Sequence, residues 1–456
     1  MKPRWPTSCG ALLCLLTCPV AVHAQLGLPP VPILPNLPSL PAVSNAAAVG
    51  SLTSRVDPRD LSALRMLRVR ELLRANRRVL EPDAAGEAIV RGEVLVLSPS
   101  ERTLDRLREL GFAVVRETVL EGLGVRLVVL HGPRNRSTVR SLRLLREVDA
   151  AGVEDFNHVY LGTGLERSYA SAMTAVAAEP IAASQPRVRI GLVDGGVDEL
   201  HPVFHGGLIH HSGCAGPPVP STHGTAVASI MVGGSDIFTG VDPGSELFAA
   251  DVYCGSASGG AVEALAAALA WFVRERVAVI NVSLVGPRNA VLESVIRLVL
   301  ERGHIVVAAV GNDGPAAAPL YPAAFAGVVG VTAVDARQRV LLEANRGPQV
   351  VFAAPGADMA AASPPDGYVA VRGTSFAAPI VAGLLARELL EPDPMAAARA
   401  VRFLAGRAID LGAPGRDAVY GFGLVGAEFR VEPKRVTGRH GPGPDCGEPC
   451  ERSPTR

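Results

Sequence analysis

The chain has 456 residues, 48% hydrophobic and 19% charged, enough for two or three domains around a large core. Its 44 basic side chains are balanced by 44 acidic ones, so no net field draws it to nucleic acid or to an anionic surface. A polyanion-binding role is therefore disfavoured from the start.

The opening MKPRWPTSCGALLCLLTCPVAVHAQ sets Lys2 and Arg4 before a short apolar run and small residues ending at Ala24. That pattern marks residues 1–24 as a cleaved secretory signal, with an apolar core too short for a membrane span. A lipoprotein site at Cys18 is disfavoured by the size of Thr17 before it. Export governs the cysteines: Cys9, Cys14 and Cys18 leave with the signal, and Cys214, Cys254, Cys446 and Cys450 remain. An even number in an exported protein favours disulfides over metal ligation, with Cys214 and Cys254 the first pairing to test. For Cys446 and Cys450 a small disulfide loop and a reduced pair are both open.

Residues 25–56 are dense in proline without helical or alternating period, and are expected to be an extended, disordered spacer. Residues 57–84 read as an Arg-rich amphipathic helical segment, packed on a neighbour in preference to a membrane. Over 85–160 the pattern runs strand (AIVRGEVLVL), helix (SERTLDRLRELG), strand (FAVVRETV), strand (GVRLVVLHG), helix (STVRSLRLLREV) and strand (AAGVEDFNHVYL). This is the ferredoxin-like order, in a unit able to fold alone but marginal for its size. Residues 161–186, rich in Ala and Ser, read as a linker. From 187 onward, apolar runs such as RVRIGLVD, VAVINVSL and HIVVAAVG alternate with helical stretches, which predicts an α/β domain with a mostly parallel sheet covered on both faces. This domain is expected over 187–430. The tail, 431–456, is rich in Pro, Gly and charge and is expected to be disordered; it lacks the alternating strands of a membrane barrel.

In a parallel sheet, chemistry gathers at the carboxyl ends of the strands. The first strand, RIGLVD, ends at Asp194 before Gly195-Gly196. STHGTAVASIM places His223 at the head of a small-residue helix, and RGTSFAAPIVAG places Ser375 where another helix begins. A serine there has two readings. It is either an N-cap satisfying orphan backbone donors or a nucleophile whose developing charge the helix start favours. A hydroxyl needs a base to take its proton, and imidazole has a suitable pKa. The imidazole in turn needs an acid to fix its tautomer and stabilise its cation. Asp194, His223 and Ser375 are of the right kinds, in one of the chain orders known for serine hydrolases.

Together VDGGVD, HGTAVAS, GTSFAAP and VVAAVGNDG resemble the signatures of subtilisin-like serine proteases, the likeness running over roughly residues 187–428. The resemblance implies Ser375 as nucleophile, His223 as general base and then acid, Asp194 as orienting carboxylate and Asn312 as side-chain donor to the oxyanion. The bend Gly311-Asn312-Asp313-Gly314 after an apolar strand suits a short amide reaching into a cleft, although alone it also suits a turn. The segment SLVGP, with Ser283, Leu284 and Val285, is similar to a substrate-binding edge strand, and Leu320 to a pocket floor. Val285 and Leu320 stand where relatives often carry Gly, which implies a preference for small or medium apolar residues before the cleaved bond. The resemblance also implies that 85–160 is a propeptide, acting as intramolecular chaperone and inhibitor and removed by self-cleavage within about residues 159–186, and that the mature enzyme is an extracellular or periplasmic monomer acting on protein or peptide substrates. Calcium is common in the family, yet no Asp-rich loop supports it here, and no cofactor is expected.

One departure is Gly195, where the family usually has Ser or Thr; the missing hydroxyl implies looser support for Asp194. His201, His205, His210 and His211 invite a metal reading, but HPVFH carries Pro202 and lacks the glutamate of a metalloprotease helix. Two rival functions share the same residues: a non-catalytic binding protein on this fold, and an esterase or peptide ligase using the same three groups.

Overall fold

The computed structural model of the protein describes residues 60–162, 164–168, 187–256 and 258–437. The signal, the spacer, residues 169–186, Cys446 and Cys450 lie outside them.

The N-terminal unit runs α1 (Asp60–Ala75), β1 (Leu80–Pro82), β2 (Ala88–Leu97), α2 (Glu101–Glu109), β3 (Ala113–Leu120), β4 (Val125–His131), α3 (Thr138–Val148) and β5 (Val153–His158). Ser100 and Ser137 cap α2 and α3, each hydroxyl accepting from the backbone N–H three residues on. The sheet is antiparallel, with β5 on β2, β2 on β4 and β4 on β3, the ferredoxin-like arrangement. Period-two alternation divides its apolar residues: Val94, Val96, Val128 and Leu130 face α2 and α3, while Leu95, Leu127 and Val129 face the other way. The helix expected over 57–84 ends at Ala75. Asn76 turns the chain, its carboxamide donating to the carbonyl of Leu72 and its own carbonyl accepting from Leu80, and β1 then joins the sheet beside β2.

After β6 (Leu161–Gly162) and β7 (Leu165–Ser168), the larger unit comprises β8 (Arg189–Asp194), β9 (Leu208–Ser212), α4 (Thr222–Val232), β10 (Glu246–Asp251), α5 (Val262–Arg274), β11 (Val279–Val282), β12 (Leu284–Val285), α6 (Ala290–Glu301), β13 (Ile305–Ala309), β14 (Val329–Val334), β15 (Val350–Pro355), β16 (Met359–Ser363), β17 (Gly367–Arg372), α7 (Thr374–Glu388), α8 (Pro394–Ala405) and α9 (Pro433–Thr437). Seven parallel strands lie in the order β9-β10-β8-β11-β13-β14-β15. Alternate strand residues build two cores. Ile190, Leu192, Val279 and Val307 pack with α4 and α7, whereas Val193, Ile280 and Val306 pack with α5 and α6. The result is a three-layer α/β domain. The strand order reverses at β8, flanked by β10 and β11, so the crevice at its carboxyl end is the expected seat of a site.

Two expectations about the edges are corrected. Residues 161–162 and 165–168 form strands: β6 pairs antiparallel with β12, and β7 with β17, because an extended chain satisfies its backbone donors and acceptors on exposed strand edges. The tail does not begin at 431 either. Val431 and Val436 are buried in the core, the latter on α9, so the folded unit extends to residue 437. Cys214 and Cys254 are joined in a disulfide, with Cα atoms 5.5 Å apart and a sequence separation of 40.

The five-stranded sheet lies on the helices α5 and α6. Leu95, Leu127 and Val129 share a core with Val262, Leu265, Leu269, Val291 and Val295. Its polar residues meet the first turns of the same helices. The Asp155 carboxylate accepts from the N–H of Ala290 at 2.8 Å, and the Asn157 carbonyl from that of Glu263 at 3.2 Å. Those donors have no partner within their own helices, and the carboxylate also meets the positive end of the helix dipole. Arg116 bridges Glu93 and Glu263.

Candidate active site

β8 delivers Asp194 to the sheet rim, buried to 1% exposure. One carboxylate oxygen accepts the N–H of Gly195 at 2.7 Å, and both lie 2.9 Å from Nδ1 of His223. That contact fixes the imidazole with its proton on Nδ1, leaving Nε2 as the basic nitrogen. His223 stands in the first turn of α4, whose N-cap Ser221 accepts from the N–H of Gly224 at 2.9 Å. Gly224 permits the close packing of helix on strand exit, since a methyl group there would sit 2.2 Å from the carbonyl oxygen of Gly195.

The space beside Gly195 is filled. A methyl group on it would lie 2.5 Å from Oγ of Ser221, whose hydroxyl donates to the carbonyl of Gly196 at 3.3 Å. Ser221 thus occupies the room a side chain at 195 would need, and it drew no attention in the sequence beyond its place in STHG. The looseness expected around Asp194 is not seen. Its carboxylate has the Gly195 N–H and the imidazole as fixed partners.

Ser375 lies in the first turn of α7 and is fully buried. The N-cap is Gly373, at φ 140°, with no side-chain cap, so the capping role first weighed for Ser375 does not hold. Its Oγ donates to the carbonyl of Ser283 at 3.3 Å, and the Ser283 hydroxyl donates back to the carbonyl of Ser375 at 3.1 Å. The imidazole of His223 packs against Phe376, the next residue, with ring centroids 5.3 Å apart. Asp194 and His223 are thus in contact, and the imidazole lies against the residue that follows Ser375.

Asn312 follows β13, and its Oδ1 accepts from the N–H of Thr374 at 3.1 Å. With the oxygen held by the helix start, the Nδ2 end of the amide points the other way as a donor. The bend is braced by Asn345, whose Oδ1 accepts from the N–H of Asp313 at 2.8 Å, a contact with no signal in the residue pattern. Asp313 is buried, and that burial pushes its carboxyl up to about 6 despite Arg65 of α1 at 3.5 Å. Leu284 and Val285 are buried in β12, and Leu320 is buried with its side chain against Gly311, where a methyl group would meet it at 2.6 Å.

The four histidines do not converge. His201 is buried between the carbonyl of Gly367 and the N–H of Val203, His210 stacks on Phe248, and His211 meets Glu199. Among the described residues the one group with metal-ligand geometry is Cys214, Asp251 and Cys254, and its two sulfurs are bonded to each other.

The subtilase family profile (peptidase S8) matches residues 186–423. Subtilisin DY of Bacillus licheniformis is 31% identical over 254 residues, covering 54% of this chain and 91% of that protein. Subtilisin Savinase of Lederbergia lenta is 32% identical over 249 residues, covering 53% and 89%. The likeness to the Minor extracellular protease Epr of Bacillus subtilis (strain 168), 29% over 246 residues, spans 37% of that protein's length. Among solved structures, fervidolysin from Fervidobacterium pennivorans shares the fold at a TM-score of 0.61 and 19% identity, over 77% of this chain and 62% of that one. With more than half its length matched by the profile and most of a subtilisin aligned to it, the chain belongs to the subtilase family of serine proteases.

Proposed function

We propose that the protein is an exported serine endopeptidase, hydrolysing peptide bonds through an acyl-enzyme on Ser375 and maturing by removal of its own N-terminal unit. The observation that carries this reading is the Asp194–His223 contact at 2.9 Å, with the imidazole lying against the neighbour of Ser375. Ser375 attacks the carbonyl carbon and His223 Nε2 takes its proton. Asp194 holds the tautomer and stabilises the imidazolium, and the same proton then goes to the leaving amine. The amide of Asn312 and the dipole at the start of α7 favour the oxyanion. The reading calls for no cofactor. The bulk of Val285 and Leu320 favours small or medium apolar residues before the cleaved bond, and a peptide panel cut faster after Phe or Arg would overturn that preference. Export rests on the pattern of residues 1–24; among the described residues no helix is long and apolar enough to cross a membrane.

The test is hydrolysis of casein by the full chain beside Ser375→Ala. The expected result is turnover by the first and a loss of at least about a thousandfold in the second. Hydrolysis of small esters with casein left intact would move the assignment to an esterase, and unchanged casein hydrolysis in the variant would remove Ser375 from the reaction.

A further inference from the structure

A short strand lies in the groove beside the imidazole. Val159 bridges Ala261, the N–H of Tyr160 donates to the carbonyl of Gly260 at 2.8 Å, and Leu161 and Gly162 pair antiparallel with Val285 and Leu284. Residues 159–162 thus run between two edges of the larger unit, and a methyl group on Gly162 would lie 3.9 Å from Cε1 of His223. A peptide of any origin laid in that groove meets the same two edges, so the backbone partners of this strand are those a bound chain would find.

One of those edges is incomplete. Successive residues of an extended strand turn their N–H and C=O to opposite sides, so Tyr160 and Gly162 present theirs to the same edge, that of Gly260. Gly260 accepts from the N–H of Tyr160 but gives its own N–H to the carbonyl of Val252 at 2.7 Å, which leaves it no donor for the carbonyl of Tyr160. The hydroxyl of Tyr253 supplies the missing partner. It donates to the carbonyl of Tyr160 at 3.1 Å and accepts from the backbone N–H of Gly162. Tyr253 is itself well held: its N–H donates to the buried Asp251 carboxylate at 3.0 Å, and the next residue is tied to Cys214. Its ring passes close to Gly260, where a methyl group would come within 2.8 Å of Cε1.

We infer that Tyr253 is a substrate-positioning residue, its hydroxyl a clamp that grips the backbone of a bound peptide at a carbonyl and at the N–H two residues on, beside the imidazole; the inference rests on the serine endopeptidase reading. Backbone groups are common to all peptides, so the clamp is indifferent to side chains and sets the register of the chain against His223. It holds the peptide alike before and during the reaction, and its loss therefore falls on KM more than on kcat. A phenylalanine in its place keeps the ring and loses both bonds, leaving a carbonyl and an N–H of the peptide without partners in the groove.

Amide hydrogen exchange in the full chain carrying Ser375→Ala, with and without Tyr253→Phe, tests the clamp without turnover. Expected is exchange at Gly162 about tenfold faster in the double variant, with the amide of Tyr160, held by Gly260, unchanged. In turnover, Tyr253→Phe alone should lower kcat/KM for acetyl-Tyr-Leu-Gly-Ala-p-nitroanilide about tenfold, mostly through KM. Replacing the glycine of that peptide by sarcosine, which has no N–H, should cost the native chain about tenfold and the variant little. Unchanged exchange at Gly162, equal acceleration at both amides, or the same sarcosine penalty in both proteins overturns the clamp and leaves the enzymatic reading standing. A native chain that turns over neither peptide and takes no fluorophosphonate label overturns the endopeptidase reading, and the role toward substrate with it.

Discussion

The two sheets bury themselves by different means. The seven-stranded sheet is covered on both faces by helices of its own chain segment, while the five-stranded one supplies helices for a single face and borrows α5 and α6 for the other. Residues 94–97 of β2 are apolar on both faces for the same reason as β8, yet half of that burial exists only while the two units are together. The larger unit is therefore built to persist alone, and the smaller one to depend on it.

The sharpest way to break that contrast is to separate the units. Residues 60–162 expressed alone should show little cooperative unfolding, and should gain it on adding the larger unit; a calorimetric transition in the isolated piece would contradict the dependence. Within the full chain, Leu127→Asp places an unpaired charge at the shared core. It should lower stability by about 3–5 kcal/mol, read as a drop in denaturant midpoint for the smaller unit with the larger one retained.

Next in size is the disulfide, which closes a loop containing His223 and its helix. Replacing Cys214 and Cys254 by serine should cost about 2–4 kcal/mol in the larger unit and leave the smaller sheet unchanged.

A third effect lies where α1 touches the site. Burial pushes the carboxyl of Asp313 up to about 6 in the folded chain from its ordinary 3.8, so the folded chain binds more protons between those values. Stability from this group is present at low pH and is withdrawn as pH rises from about 4 to about 6, on the order of 2–3 kcal/mol. Melting curves of the Ser375→Ala chain should carry that slope, and Asp313→Asn should remove it. An identical pH dependence in both chains would show that the buried carboxyl does not titrate there.

The smallest effect expected is at Gly195. Gly195→Ser, which restores the residue usual in the family, should destabilise by about 1–3 kcal/mol, because its Cβ meets Oγ of Ser221. Adding Ser221→Ala should recover most of the loss.

Much of this was legible in the chain because parallel strands announce themselves as continuous apolar runs and because Asp194, His223 and Ser375 each stand at the end of one or the start of a helix. The ferredoxin-like order was legible through Ser100, Ser137 and the changing period between them. What the sequence concealed was pairing that depends on a remote edge. LGTGLERS has no apolar pattern, and its residues 161–162 and 165–168 become strands only because β12 and β17 offer unpaired backbone. The same holds for Ser221, whose importance arises from a void at Gly195, and for Val436, an apolar residue in a polar run that finds the core. Asn345 is a further case, bracing the bend at Asn312 from across a loop.

The convergence of the three groups is tested most directly by mapping the serine modified by a fluorophosphonate in the processed protein and in His223→Ala. The expected result is a single label on Ser375, formed at least about a hundredfold more slowly without the imidazole. Modification of a different serine, or equal labelling rates in the two proteins, would contradict it.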